Sequence, residues 1–308
     1  MAKDKILLLP NGKPVKKSKL HRLTPGDWVI MVVVGILCFT MFYPFVNLIF
    51  QSISPDWVIT EANGMVLWPK SISLENYVYV VTYPNTWNAY KNTIFITITG
   101  TALSLVVTSL GGYSLSKRDL PGRRWMTLFM ILTMFIGGGM IPYFLVLKKI
   151  GLINTIWVLI VPGCCSTGNV FMMRNFFMVM PQDVKDSAYI DGAGEVRTFV
   201  QIVVPLSGAI IATMALFYGV GYWNTYESAI IYNNRSQNYT IQVVLQQMYN
   251  NSLTKNMNLD SIEQVRSHVT TEGVRAATAV YAPLPIICVY PFLQKYFAKG
   301  VMIGSLKG

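Results

Sequence analysis

A short polar insert between two long apolar runs carries the residues best suited to chemistry in this chain. It extends from Asp186 through Asp191 and Gly192 to Glu195. Asp191-Gly192 is a turn pair, because glycine adopts backbone angles that a side chain forbids. Pro181 suits the start of a helix. The pattern predicts a helix, a sharp turn and a second helix, displayed on one side of a membrane.

The other reactive residues do not form a catalytic or metal site. His21 and His268 lie in segments predicted on opposite sides of the membrane, and the four cysteines show neither metal-ligand spacing nor a disulfide framework. The sequence has no glycine-rich phosphate loop ending in Gly-Lys-Ser/Thr. Apart from Arg174 at an edge, no ionisable residue lies within a predicted span, where coupled transporters hold their ion sites. We therefore expect no enzyme activity, metal or cofactor in this chain.

Composition predicts an all-α membrane protein with six transmembrane helices. Of the 308 residues, 53% are hydrophobic and 13% are charged, against roughly 25% charged residues in soluble domains. Six runs lack Asp, Glu, Lys and Arg and approach or exceed the roughly 20 residues that cross a bilayer as a helix. They are 28–55, 92–116, 125–147, 150–173, 198–226 and 276–294.

The distribution of positive charge predicts the orientation. Seventeen of the 25 Lys and Arg residues fall on the side of the N-terminus, so the positive-inside rule places both termini and the polar insert in the cytoplasm. We attribute the net charge of +11 to topology and contact with membrane lipid, not to nucleic-acid binding. The predicted segments are a basic tail at 1–27, a first helix at 28–55, an outer segment at 56–91, a five-helix core at 92–297 and a tail at 298–308.

Within the core, the cytoplasmic loop spans 181–200 and a long outer segment spans 227–275. The outer segment contains an amphipathic stretch at 240–249, which we expect to lie on the membrane surface. The second span is rich in small residues, which allow close helix approach, so we expect it to pack centrally. Gly137-Gly138-Gly139 and the stretch 162–169 interrupt the third and fourth spans. Such breaks are tolerated in a membrane where the backbone is buried in protein or lines a cavity.

The spacing of the insert resembles the coupling loop (EAA motif) of binding-protein-dependent ABC importer permeases. That pattern is Glu-Ala-Ala, three residues, Gly-Ala, and then Phe, Ile and Pro at fixed intervals. Two residues depart conservatively from this pattern: Asp186 replaces the Glu, and Ser187 replaces the first Ala. The residues that stand at the motif positions are Asp186, Ser187, Ala188, Asp191, Gly192, Ala193, Phe199, Ile202 and Pro205. The glycine triplet and the ending at 292–300 resemble the polysaccharide and complex-oligosaccharide branch of the family.

This resemblance implies a type I ABC importer permease with the MetI-like fold in a bacterial cytoplasmic membrane. It implies that the 181–200 loop docks on one of two separate ATPase subunits, which bind the ATP and Mg, with Glu195 among the groups offering charge. The further partners implied are a second permease subunit, expected to be a different chain, and an extracytoplasmic sugar-binding lipoprotein or periplasmic protein. The substrate implied is a carbohydrate.

Two polar or aromatic clusters are candidates for the substrate path. Flat rings stack on apolar sugar faces and amides bond to hydroxyls, but small polar residues also pack between helices, and aromatic residues also form interfacial belts. Both interpretations stay open here. The candidates are Tyr143, Ser166, Thr167, Asn169, Tyr218, Tyr222, Trp223 and Asn224.

A second function, from another class, is an ion-coupled secondary transporter or channel that works without an ATPase. It would require a mid-span ionisable residue and would leave the spacing at 186–205 unexplained. Uptake that survives ATP depletion but stops when the proton gradient collapses would favour it.

Overall fold

The structure, a computed structural model, describes residues 25–255, 270–288 and 291, and every regular element in these ranges is helical. Most of both predicted tails lies outside the described residues. The α-helices are α1 Pro25–Ser52, α2 Asp56–Glu61, α3 Glu75–Thr82, α4 Thr86–Ser116, α5 Arg123–Phe135, α6 Met140–Lys149, α7 Thr167–Val179, α8 Gln182–Ile190, α9 Glu195–Thr198, α10 Val204–Leu206, α11 Gly208–Trp223, α12 Glu227–Tyr232, α13 Ile241–Lys255 and α14 Thr271–Tyr281. Short 3-10 turns lie at Ile156–Leu159 and Ser236–Asn238, and a π-helical turn lies at Phe199–Val203.

The chain divides into two compact units, residues 1–48 and 49–308. In the first unit, the described residues belong to α1, whose long apolar side chains are exposed, for example Ile36 and Phe39. An apolar helix of this length with an uncovered surface suits a lipid environment.

The second unit is organised around α4, which packs against both α7 and α11. Glycines on α4 permit this close approach: a Cβ at Gly100 would lie 2.7 Å from the ring of Tyr222, and a Cβ at Gly112 would lie 2.7 Å from Cβ of Met173. The predicted central packing of the second span is confirmed. Small residues thus bring α4 close to both neighbours.

Two predicted spans are broken helices. The chain bends by 117° between α5 and α6, at the glycine triplet. It bends by 82° between the segment Glu195–Leu206 and α11. Within the described residues, α1 and α4 are long and apolar enough to cross a membrane, and the number rises to four if each bent pair is one span. The predicted fourth span contains the 3-10 turn at Ile156–Leu159 and the beginning of α7, so it is no continuous helix. The predicted sixth span is described only in part.

The amphipathic stretch at 240–249 forms most of α13, but its apolar face packs against the protein and is not free to contact a membrane surface. Ile241, Val244 and Met248 are fully buried or nearly so. They pack in one cluster with Val80 of α3 and Val274 of α14. The apolar face of α13 is therefore covered by the protein's own helices. The periodicity of one helix shows which face is apolar but does not show what covers it.

Candidate functional site

The predicted helix-turn-helix of the 181–200 loop is present, formed by α8, a turn and α9. Gly192 has φ +76°, a conformation that favours glycine. Its amide donates to the carbonyl of Tyr189 at 3.0 Å, and the amide of Ala193 donates to the carbonyl of Ala188 at 2.9 Å. These two bonds form the Schellman pattern that ends a helix with a glycine. The direction in which the chain leaves α8 therefore depends on this glycine.

The motif residues divide into buried and exposed groups. Ala188 and Phe199 are buried, Phe199 packs in the main core cluster of the second unit, and Ala193 is half-buried. Two apolar side chains beside the motif, Ile190 and Val196, are 86% and 77% exposed. Such exposed apolar residues suit contact with another protein. The exposed motif residues are Asp186, Ser187, Asp191, Gly192 and Pro205.

Glu195, which we expected to offer its charge to a partner, bonds within its own chain. Its Oε1 accepts from the hydroxyl of Tyr189 at 2.7 Å and from Nζ of Lys117 at 2.9 Å. Its Oε2 accepts from the hydroxyl of Tyr113 at 2.9 Å. Nζ of Lys117 also donates to the hydroxyl of Tyr189 at 2.6 Å. These four residues, called here the loop cluster, tie α8 and α9 to the end of α4.

The loop cluster keeps its two charges at neutral pH. Burial raises the pKa of the Glu195 carboxyl, but hydrogen bonds from Lys117, Tyr189 and Tyr113 outweigh burial and hold that pKa below its usual range. Burial lowers the pKa of the Lys117 ammonium, but its bonds to Glu195 and the tyrosines raise that pKa above its usual range. The Glu195 side chain is 59% exposed. The cluster is therefore an ion pair at the edge of the protein, supported by two aromatic rings.

Sequence reasoning did not assign Tyr113, Lys117 or Tyr189 to this site. Tyr113 and Lys117 are four residues apart at the end of α4, a spacing that places side chains on one helix face. That spacing is the available signal, but it does not identify a partner 78 residues away in the chain.

Three of the predicted path residues, Tyr143, Tyr218 and Tyr222, line one cavity of about 280 Å³, near the lower end of the range for ligand pockets, roughly 300–1,000 Å³. The hydroxyl of Tyr222 bonds to Oγ of Ser104 at 3.0 Å, and the hydroxyl of Tyr218 bonds to Oγ1 of Thr108 at 2.6 Å. The lining includes polar residues that sequence reasoning missed: Thr225, Ser228 and Tyr232.

The other predicted path residues do not line this cavity. The amide of Ser166 donates to the hydroxyl of Tyr218 at 3.3 Å, while Thr167 and Asn169 are half-buried in the first turn of α7. Trp223 is buried and its Nε1 donates to the carbonyl of Ala282 at 3.0 Å. Asn224 is exposed and accepts a long bond from Gln242. Tyr218 and Tyr222 face the cavity because they lie one helical turn apart on α11, and Trp223 points to another side.

Comparison with known proteins places these features in a family. Residues 95–303 match the family model described as binding-protein-dependent transport system inner membrane component. The chain is 39% identical to protein LplC of Bacillus subtilis over 86% of this chain and 89% of the relative. It is also 39% identical to the polygalacturonan/rhamnogalacturonan transport system permease protein YtcP of the same organism, over 86% of this chain and 92% of that one.

A solved structure agrees with the sequence matches. The chain resembles the crystal structure of a bacterial ABC transporter involved in the import of the acidic polysaccharide alginate, with a TM-score of 0.80 and 29% identity over 89% of this chain and 98% of that chain. The chain belongs to the family of binding-protein-dependent transport system inner membrane components. The predicted resemblance, the all-helical permease fold and the membrane location are confirmed.

Proposed function

We propose that this chain is one transmembrane permease subunit of an ATP-driven importer of oligosaccharide or polysaccharide fragments. The names of its relatives, which concern pectic polymers and alginate, support this substrate class. The partners proposed are a second, different permease chain, two ATPase subunits that bind the ATP and Mg, and an extracytoplasmic sugar-binding protein. Six spans with both termini in the cytoplasm, and the segment boundaries given above, remain part of the proposal.

The loop cluster and the cavity tyrosines both bond to α4, and the proposed mechanism depends on this connection. The loop cluster bonds to α4 through Tyr113 and Lys117, and the cavity tyrosines bond to α4 through Ser104 and Thr108. Ser104 and Lys117 are about 20 Å apart at 1.5 Å per residue. A rigid helix transmits displacement over such a distance because its backbone bonds are continuous.

The proposed coupling follows from this connection. An ATPase subunit contacts the exposed face of the loop, which includes Asp191, Ile190 and Val196. Closure of the ATPase pair on ATP moves α8, and the loop cluster passes that movement to α4. The displacement of α4 then alters the hydroxyl contacts of Tyr218 and Tyr222 at the cavity. In this mechanism Glu195 holds the loop in position, and the exposed residues bind the ATPase.

The test is purification of the chain from its native host in a gentle detergent, with mass spectrometry of the proteins that accompany it. We expect an ATPase, a second permease and a binding protein, whose sugar can then be identified by screening. Recovery of the chain as a stable homo-oligomer without an ATPase would contradict the proposal. Uptake that persists after ATP depletion and stops with the proton gradient would contradict it independently.

A further inference from the structure

Three arginines surround a second cavity, which the proposed transport mechanism does not use. The cavity has a volume of about 490 Å³ and lies between α5 and α7. It is at the same end of α4 as the loop cluster, because Nε of Arg174 donates to the carbonyl of Leu115 at 3.2 Å. The lining residues are Arg123, Arg124, Thr127, Leu128, Ile131 and Arg174.

The positive charge of this cavity is not balanced within the described part of the chain. The ion pairs found there join Lys70 to Glu61 and Lys117 to Glu195, so no described carboxylate pairs with the three arginines. Nη2 of Arg123 contacts the thioether sulfur of Met178 at 3.5 Å. The N-terminus of α5 adds the positive end of a helix dipole at the same place. Like charges gathered in this way favour a bound anion.

The opposite wall of the cavity is apolar. Leu128 and Ile131 lie one and two turns further along α5 and are 43% and 37% exposed. Trp125 and Phe129, on the same helix, are 74% and 69% exposed. Exposed aromatic residues above a basic turn are typical of the boundary between headgroups and acyl chains. The cavity therefore runs from a charged rim to an apolar wall in the direction of the bilayer interior.

We propose that this cavity is a binding site for an anionic phospholipid. The phosphate lies among Arg123, Arg124 and Arg174, whose planar guanidinium groups match phosphate oxygens. One acyl chain lies along Leu128 and Ile131. A free phosphate ion or the carboxylates of an ATPase would satisfy the arginines but would leave the apolar wall without a function. The proposal requires only that α5 lies in the membrane and is independent of the coupling mechanism.

The experiment uses the full-length chain, delipidated in a neutral detergent, and counts bound lipid by native mass spectrometry. Phosphatidylglycerol is titrated against phosphatidylcholine, with inorganic phosphate as a competitor. We expect phosphatidylglycerol to bind preferentially and the double variant Arg123→Gln/Arg174→Gln to bind it roughly thirtyfold more weakly, at about 1 kcal/mol for each of the two basic residues near the surface. The matched control, Lys148→Gln/Lys149→Gln at the other end of the α5–α6 pair, removes the same charge and is expected to retain binding.

A second variant tests the apolar wall without changing any charge. Ile131→Trp fills the cavity and is expected to weaken phosphatidylglycerol binding several-fold. Equal binding of both lipids, or equal binding by the arginine variant and its lysine control, would overturn the proposal. So would full displacement by inorganic phosphate with no effect of Ile131→Trp, which would indicate a free-anion site. Unchanged lipid binding with loss of a co-purifying ATPase in the arginine variant would assign the surface to the ATPase instead.

Discussion

Tyrosine hydroxyls form hydrogen bonds in two regions along α4, the loop cluster and the cavity, and the electrostatic environment of the two regions differs. At the loop, Tyr113 and Tyr189 donate to a carboxylate that also pairs with Lys117. At the cavity, Tyr218 and Tyr222 bond to the neutral hydroxyls of Thr108 and Ser104. Charge is costly inside a bilayer and tolerable at its edge. The loop can therefore use an ion pair where the cavity must use neutral hydrogen bonds.

This difference predicts how firmly each end is held. A partly exposed ion pair contributes about 0–1 kcal/mol, and each added hydrogen bond contributes about 1 kcal/mol. The loop cluster is thus a set of modest contacts that can break and form again. The cavity tyrosines are in addition held by close packing, since the ring of Tyr222 lies directly over Gly100.

The largest effect is expected from Gly192→Pro. Proline requires φ near −65°, whereas Gly192 has φ +76° and donates its amide to the carbonyl of Tyr189. We expect transport to be abolished and membrane insertion to be retained, and the same from Asp191→Lys. Uptake assays paired with quantitation of the chain in membranes measure both. The matched control is Gly194→Ala, because Gly194 has φ −71° and open space around it; normal uptake by Gly192→Pro would contradict the role of the turn.

A large loss of stability is expected from Gly112→Ala. The new Cβ would lie 2.7 Å from Cβ of Met173 and 3.0 Å from the amide nitrogen of Arg174, so α7 must move away from α4. Overpacking of this kind costs about 1–3 kcal/mol. Thermal unfolding of the purified chain in detergent measures the change. Gly111→Ala, whose Cβ would meet no atom closer than 3.6 Å, should unfold at the wild-type temperature, and equal destabilisation of the two variants would refute the packing argument.

A partial loss of coupling is expected from Lys117→Met and from Glu195→Gln. Each variant removes the ion pair of the loop cluster and leaves the exposed face of the loop unchanged. We expect reduced transport per ATP hydrolysed in the reconstituted complex, with normal recovery of the ATPase. The double variant should be little worse than either single variant, because both remove the same interaction. Additive losses would show that Lys117 and Glu195 act separately.

A smaller effect is expected from Tyr222→Phe. The variant keeps the ring over Gly100 but removes a hydroxyl that bonds to Ser104 and to the carbonyl of Ile160 at 3.1 Å. The expected loss of stability is about 1 kcal/mol, measured by thermal unfolding in detergent. Phe217→Tyr, which adds a hydroxyl at the wall of the same cavity, serves as the control for altered polarity. No destabilisation by Tyr222→Phe would show that packing alone positions this ring.

The smallest effect is expected from pH near neutrality. The pKa of the Glu195 carboxyl is lowered, so the ionised carboxylate stabilises the loop cluster. This stabilisation is fully present above the usual carboxyl pKa of about 4.3 and is lost as pH falls through the lowered value. Because the pKa of Lys117 is raised, its contribution is fully present below the usual lysine pKa of about 10.4. Coupling should therefore be constant from about pH 6 to 8. A steep change in that window that Glu195→Gln abolishes would contradict this assignment.

The sequence alone determined the features that depend on neighbouring residues. Apolar runs indicated membrane helices, Asp191-Gly192 indicated the turn, and the glycine triplet indicated the break between α5 and α6. The motif spacing indicated the family, which residues 95–303 confirm. These signals are local because helix periodicity and turn chemistry act over a few residues.

Only the tertiary structure decided which distant side chains meet. It paired Lys117 with Glu195 across 78 residues and Tyr222 with Ser104 across 118, and it turned α13 inward onto α3 and α14. It also separated Trp223 from the cavity that Tyr222 lines, although the two are adjacent in sequence. Such outcomes depend on how helices pack against one another, and a single helix pattern shows which face is apolar without showing what will cover it.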